Sequence, residues 1–326
     1  MTAVHLSGYG HFVPERVVDN AEIVQTLDID EAWIDERAGV LQRRHAHASE
    51  ATSDLALHAA RLAVHRAHLQ PNDLDLVIVA TLTPDHTQPA TAAIVQSKLQ
   101  AQRAMALDMN AACSGFLYAL EFGRAWLAGA PGRRHALVIG ADVYSRILDP
   151  TCRRTYPLFG DGAGAVVLSV DAKKTDQVGP AIGVGKPGTD HWVMVPYGGS
   201  RANGAAPQPG AEFFKMQGRD VKDFVLSAFP QLLQWAAASI GTSSQDLDFI
   251  VCHQGNYRML EDARTQLGIP QEKMLYSVRE FGNTGSASIP LTLSVALSEG
   301  TLRPGDTVGL IAFGGGMSCG ASGLTI

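Results

Sequence analysis

The feature that most constrains this chain is a repeat inside it. "DLDLVIV" (residues 73–79) returns as "DLDFIVC" (246–252), "NAACS" (110–114) aligns with "NTGSA" (283–287), and "ALVIGAD" (136–142) aligns with "GLIAFGG" (309–315). All three pairs share one offset of 173 residues (246 − 73, 283 − 110, 309 − 136) and keep their order without a gap. One such pair is weak evidence. Three at a single offset predict a duplicated α/β unit, with a period far too long for a solenoid. The 326 residues are enough for two such halves. We expect halves at 1–174 and 175–326, joined within the polar "VDAKKTDQVG" (170–179). Halves packed about a pseudo-twofold axis bring equivalent loops together. Asn110–Cys113 and Asn283–Ser286 should then face each other across a cleft, a favoured place for a ligand.

Within each half, strand-like and helix-like runs alternate, the pattern of an α/β protein. "LDLVIVATL" (74–82) is a continuous apolar run, as a strand covered on both faces should be. Further strands are expected at 136–143, 163–170, 247–254 and 307–314. The stretch 53–69 carries Leu55, Leu57, Ala60, Leu62 and Ala63 as a broad apolar stripe, which predicts a helix, with Thr52 or Ser53 as its cap. Helices are also expected at 114–128, 218–240, 257–267 and 288–299. "PYGGSRANGAAPQPGAE" (196–212) reads as a surface loop.

A net charge of −6 argues against a nucleic-acid partner, which needs a basic face. No apolar run is long enough to span a bilayer, and the first residues lack the pattern of a signal peptide, so a cytoplasmic protein is expected. Cysteines at 113, 152, 252 and 319 fit neither a zinc site nor a disulfide framework, and each is judged singly.

Cys113 lies in "ALDMNAACSGFLYAL", between a strand-to-turn stretch and a helix. A thiol at a helix N-terminus gains from free N–H groups, and the small neighbours Ala111, Ala112, Ser114 and Gly115 leave room for a substrate. The placement follows the logic of a nucleophile elbow. A buried, inert cysteine fits the same residues. His253 ends a strand in "DFIVCHQGN", and Asn283 stands in "EFGNTGSASIP" before a helix. A strand-end histidine bonded to backbone and a turn asparagine are the plain readings. Taken together, cysteine, histidine and asparagine are the parts that thioester chemistry needs: an acyl acceptor and two donors for a carbonyl oxygen that gains charge.

"WIDERAGVLQRRHA" (33–46), "DMNAACSGFLYAL", "FGDGAGAVVL", "CHQGN", "FGNTGSASIPLTL" and "AFGGGMSCGAS" occur in that order over essentially the whole chain. The ordered set resembles β-ketoacyl-acyl carrier protein synthase III, of the thiolase superfamily. The resemblance implies a duplicated five-layer α-β-α-β-α fold and a ping-pong condensation. An acyl-CoA would acylate Cys113, and malonyl on acyl carrier protein or on CoA would then lose carbon dioxide. His253 and Asn283 would hold the resulting enolate, and the backbone N–H groups of Cys113 and Gly315 would hold the oxyanion. No cofactor is implied beyond coenzyme A as substrate, and no metal. Trp33 would stack on adenine with Arg37 and Arg153 near the phosphates, while Gly218, Asn256 and Phe313 match tunnel positions. A homodimer is implied, and Arg43, Arg44, Arg133, Arg134 and Arg258 are candidates for a carrier-protein docking patch.

The chain departs from that pattern in two places. Where the family often has a bulky aromatic from the partner subunit closing the acyl pocket, this chain has Gln88 before Pro89, which suggests a primer other than plain acetate. The C-terminal glycine loop continues as Met317-Ser318-Cys319-Gly320, and its cysteine resembles loosely the second catalytic cysteine of thiolases, although a space-filling role suits it better. Two other readings remain: an acyltransferase that passes the acyl group to a hydroxyl or amine, and a non-catalytic acyl-ligand-binding partner.

Overall fold

A computed structural model describes residues 3–171, 177–202 and 207–326. The strands in chain order are β1 (Val4–Phe12), β2 (Arg16–Asp19), β3 (Gln42–His45), β4 (Leu76–Ala80), β5 (Met105–Met109), β6 (His135–Asp142), β7 (Gly162–Val170), β8 (Ile182–Gly185), β9 (Val193–Met194), β10 (Lys215–Met216), β11 (Phe249–Cys252), β12 (Met274–Leu275), β13 (Thr307–Gly314) and β14 (Ser318–Thr325). The helices are α1 (Asn20–Val24), α2 (Glu31–Arg37), α3 (Thr52–Arg66), α4 (Thr91–Leu99), α5 (Gly115–Ala128), α6 (Gly218–Ser239), α7 (Tyr257–Gln266), α8 (Val278–Phe281) and α9 (Ser288–Ser298).

Two five-stranded sheets dominate, in the orders β1-β7-β6-β4-β5 and β8-β14-β13-β11-β12. Position for position the orders are the same, which is the duplication seen in three dimensions. In both sheets the central pair, β4 with β6 and β11 with β13, is parallel, and the next pairings outward, β6 with β7 and β13 with β14, are antiparallel. The 173-residue offset carries Leu76 onto Phe249 and Gly115 onto Ser288, the first residues of two matching strands and two matching helices.

The layers follow from which faces are apolar. Helices α3 and α4 cover one face of the first sheet, where Leu55, Ala59, Ala63 and Val95 pack on Val77, Val79, Leu137 and Val167. Helices α5 and α9 lie between the sheets, with Phe116, Leu117, Leu120, Ile289 and Leu293 packed among Ile78, Val138, Leu310 and Val251. Helices α6 and α7 cover the outer face of the second sheet through Val225, Phe229, Leu233 and Leu260. The result is the expected α-β-α-β-α stack. Every residue of β4 is buried, which explains its unbroken apolar run.

Several local expectations need correction. The α3 helix is capped at Ala51, not by Thr52 or Ser53. The Ala51 N–H donates to Asp54, while the Thr52 hydroxyl reaches Thr83 of the next crossover. The inter-half boundary at 174/175 lies outside the described residues. The 196–212 segment is the expected surface loop in its described residues, with a short 3-10 turn at Gly199–Arg201, while residues 203–206 lie outside the described residues. On either side of it β9 and β10 pair Val193 with Met216 and Met194 with Lys215, and Val193 and Met216 line the main cavity.

Candidate active site

The chain after β5 makes a tight turn before α5. Ala112 takes a left-handed backbone (φ 50°), a conformation that L residues seldom adopt, and Cys113 follows it. The N–H groups of Ser114 and Gly115 bond to the carbonyls of Ala111 and Ala112. The glycine loop after β13 comes close to this turn. A side chain at Gly314 would sit 2.8 Å from the Ser114 nitrogen and 2.9 Å from the Ala111 oxygen, so only glycine fits.

Cys113 is partly exposed at the floor of the cavity. The helix end does not by itself yield a thiolate. Burial pushes the thiol up to about 12, the Asp142 carboxylate adds to that, and the Tyr144 hydroxyl opposes it. The Tyr144 oxygen lies 3.8 Å from Cys113 Sγ.

The second half contributes from two loops. His253 follows β11, and its N–H donates to the Ile311 carbonyl at 2.7 Å. Its Nδ1 faces Ser288 Oγ at 2.8 Å, and burial holds the imidazole down to about 4, so the ring is neutral near pH 7. Gln254, next in sequence, is wholly buried and uses its full amide. Its Nε2 donates to the Cys252 and Leu275 carbonyls at 3.0 Å, and its Oε1 accepts from the Ser277 and Val278 N–H groups. That amide fixes the turn that carries the histidine.

Asn283 is held on both sides. Its N–H donates to the Leu158 carbonyl and its carbonyl accepts from Gly160, a one-residue bridge to the first half. Its Oδ1 accepts the Gly285 N–H at 3.0 Å, which assigns the amide orientation and leaves Nδ2 with one long contact, 3.4 Å to the Gly255 carbonyl. The loop beyond it is clamped by the buried Asp142 at the end of β6. That carboxylate accepts from Thr81, Leu82 and Thr83 in its own half and from the Ser286 N–H and hydroxyl in the other. Gly285 is at φ 58°, and a side chain there would strike Asp142 and Tyr144 at 2.4 Å.

These residues meet in a cavity of about 1190 Å³. It is lined by Cys113, His253 and Asn283 together with Trp33, Arg37, Arg153, Gly218, Asn256, Phe313 and Gly315, so the structure brings all of these sequence candidates to one place. Toward its mouth the Arg153 guanidinium lies 6.0 Å from the Trp33 ring centre. Arg154 and Arg219, which sequence reasoning had not placed there, line the same space. Asn256 spends its polar groups on structure: Oδ1 caps α7 through the Met259 N–H, and Nδ2 donates to the Arg37 carbonyl. A second cavity, about 340 Å³, opens from Cys113 past Tyr144, Asn110, Phe214 and Val195.

Other candidates lie elsewhere. Gln88 is exposed and lines neither cavity of this chain, because its segment runs over the surface between β4 and α4. Cys319 packs in the core with Phe229, Leu233 and Phe313 and lines neither cavity. The five-arginine docking patch does not form. Arg43 is fully buried and donates to the Val18 and Pro157 carbonyls and to Asn20. Arg44 serves the Pro14 and Glu15 carbonyls, and Arg258 is paired with Asp35. Arg133 stacks on Trp126, and with Arg134 it precedes β6, at the end of the sheet opposite Cys113. Sequence reasoning missed Asp142, Tyr144, Gln254 and Ser288. For Ser288 a signal existed, since the offset places it opposite Gly115 at the matching helix start.

Comparison with known proteins bears on the family and the fold. Residues 107–182 match the family described as 3-Oxoacyl-[acyl-carrier-protein (ACP)] synthase III, and residues 237–326 match its C-terminal counterpart. The chain is 43% identical to the beta-ketoacyl-[acyl-carrier-protein] synthase III 3 of Streptomyces coelicolor, covering 98% of this chain and 96% of that one. The chain belongs to the 3-oxoacyl-[acyl-carrier-protein] synthase III family. A second relative, the acetoacetyl CoA synthase NphT7 of Streptomyces sp. CL190, is 42% identical over 95% of each chain. The crystal structure of the Thermus thermophilus beta-ketoacyl synthase III superposes with a TM-score of 0.91 at 34% identity, covering 99% of both chains. The duplicated α/β unit expected from the repeat and the thiolase-like fold implied by the resemblance are thus the observed ones. No helix among the described residues is long and apolar enough to cross a membrane.

Proposed function

We propose that this synthase III family member condenses an acyl group from coenzyme A with a malonyl thioester, through an acyl intermediate on Cys113. The observation that carries the reading is the convergence of Cys113, His253 and Asn283 on one cavity whose mouth pairs a tryptophan with an arginine. In the first half-reaction the Cys113 sulfur attacks the thioester carbonyl, and coenzyme A leaves as its thiol. In the second, the C–CO₂ bond of the malonyl group breaks and its electron pair passes into an enolate. The Nε2–H of neutral His253 and the Nδ2–H of Asn283 donate to the enolate oxygen. The carbanion carbon then bonds to the acyl carbonyl, and the Cys113 thiolate is released.

The donor role of His253 needs the proton on Nε2, the tautomer in which Nδ1 accepts from Ser288. The Ser288 oxygen already accepts the Gln254 N–H, so its own proton is available for Nδ1. Oxyanion stabilisation falls to the N–H groups of Cys113 and Gly315. Trp33, Arg37 and Arg153 bind the nucleotide end of coenzyme A by stacking and by pairing with phosphate. The reaction runs without a resident cofactor, since coenzyme A arrives as substrate.

The active unit is a homodimer in this reading. Among the described residues strand β5 pairs with β4 alone, leaving an open edge with Met105 47% exposed. A second copy paired there would bring its Gln88 to this chain's site. The enzyme works in the cytoplasm on malonyl-acyl carrier protein or malonyl-CoA. Intact-mass spectrometry against a panel of acyl-CoAs, dicarboxylic ones included, is the test. An acyl increment on Cys113 that malonyl thioester discharges with release of carbon dioxide is expected. Discharge to a hydroxyl or amine without carbon dioxide would make the protein an acyltransferase instead.

A further inference from the structure

Tyr144 has no place in the reaction described so far, yet it is 1% exposed and sits directly against the nucleophile. Its ring is stacked on Phe159 at 4.5 Å and packed edge-on against Phe214 at 5.7 Å, so the side chain has little freedom. The Cys113 sulfur, at 3.8 Å, is the partner its hydroxyl finds. A buried hydroxyl normally has a strong acceptor, because leaving one unpaired costs about 1–3 kcal/mol. A neutral thiol is a weak acceptor, whereas a thiolate is a strong one.

The surroundings of Cys113 give such a donor a role. The N–H groups of Ser114 and Gly115, at the start of α5, are engaged by the Ala111 and Ala112 carbonyls. Asp142, at the end of β6, is the nearby carboxylate and opposes ionisation of the sulfur. His253, after β11, is neutral and brings no positive charge. Arg37, Arg153 and Arg154 line the same cavity but are exposed residues near its mouth. Tyr144 itself stays protonated, since burial and the neighbouring Cys113 and Asp142 hold its pKa well above the ordinary phenol value. Between these two groups only the phenol can then be the donor when the sulfur is ionised.

The geometry points to Tyr144 as a further catalytic residue, whose hydroxyl donates to the Cys113 thiolate and sets the reactivity of the nucleophile. The inference rests on Cys113 being the acyl acceptor. It predicts that ionisation of Cys113, rather than the decarboxylation step, responds to this side chain.

The test is the pH dependence of Cys113 alkylation by iodoacetamide, read on the Cys113 peptide so that Cys152 does not interfere. Tyr144→Phe keeps the ring and its stacking, and thermal unfolding checks that it folds. Along the rising limb of the alkylation profile, from about pH 7 to 10, the Y144F rate at each pH should fall about ten- to a hundred-fold, the displacement of one to two pH units expected for losing one hydrogen bond to a charged group. Site-specific 3-fluorotyrosine at position 144, a stronger donor of nearly the same shape, should move the profile the other way. Superimposable profiles for wild type and Y144F, or shifts of the same sign for the two replacements, overturn the inference. So does a Y144F enzyme that changes only its acyl-CoA preference, which would make Tyr144 a wall of the second cavity. Alkylation needs no acyl-CoA, so it decides this inference even where acylation of Cys113 by CoA thioesters fails and the proposed function with it.

Discussion

The two halves share one topology but build their sides of the cavity by opposite means. The first half presents Cys113 on a strained turn in an apolar setting, with one phenol against the sulfur. The second half presents His253 and Asn283 from a closely satisfied polar frame, in which Gln254, Ser277, Ser288 and Gly285 each hold a hydrogen bond. The contrast suits the proposed chemistry. A nucleophile must be reactive, and its site can leave it poorly stabilised. Donors that meet charge only in the transition state must already be in place, because reorganising them then would cost the rate they supply.

The largest effects should separate the halves most sharply. Cys113→Ala should abolish both the acyl mass increment and condensation, a loss of about 10⁴-fold or more for a missing covalent nucleophile. Condensation that survives in C113A would remove the basis of the reading. His253→Ala and Asn283→Ala should instead leave acylation of Cys113 within a few-fold of wild type. Their malonyl decarboxylation should fall by about 10²–10³, as for the loss of one preorganised donor. If either variant loses acylation and decarboxylation equally, the division of labour between the halves is wrong.

Much of this was legible in the sequence, for a reason that particular residues make plain. The strands at Leu76–Ala80 and Phe249–Cys252 and the helix starts at Gly115 and Ser288 are local patterns, repeated at one offset. Cys113 and His253 stand at motif positions after strands and Asn283 in the loop before a helix, and topology alone brings them together. Asp142, Tyr144 and Gln254 acquire their surroundings only when the halves pack, so the motifs that contain Asp142 and Gln254 do not reveal what those side chains hold. Arg43 misled for the same reason. It reads as a surface cation in "LQRRHA", but β2 and β3 bury it against carbonyls and Asn20. Gln88 drew attention as a departure from a family pattern, which says nothing about whether this chain alone places it at the cavity.

The link between the halves should show a smaller effect, read on stability. Asp142 accepts from Leu82 of one half and Ser286 of the other. Asp142→Ala leaves the buried Ser286 N–H and the partly buried Leu82 N–H without their acceptor, a cost of about 2–6 kcal/mol at about 1–3 kcal/mol for each. Urea unfolding should show the midpoint falling with the slope unchanged. A loss below about 1 kcal/mol would mean that apolar packing between the sheets, rather than this carboxylate, holds the Asn283 loop in register.

The smallest expected effect is an absence of change, and it tests whether the polar frame keeps His253 neutral. An unfolded histidine titrates near 6.5, whereas burial lowers His253 to about 4 in the fold. Between those values the unfolded chain binds a proton that the folded chain refuses, so this group makes stability rise with pH from about 4 to 6.5 and adds nothing further above that. Buried His45, also lowered to about 4, acts in the same direction. Asp161 acts against them: burial raises it from 3.8 to about 6, so its contribution is full below 3.8 and is lost as pH rises through 6. Opposed slopes in one window make global stability a poor reporter of any one group. Decarboxylation of the malonyl thioester is the better one, because it depends on the His253 donor and not on ionised Cys113. Its rate should be level from about pH 5.5 to 8, with no break near 6.5. An inflection between pH 6 and 7 that His253→Gln removes would show that the imidazole titrates normally, and that the frame around Gln254 and Ser288 orients the ring without keeping it uncharged.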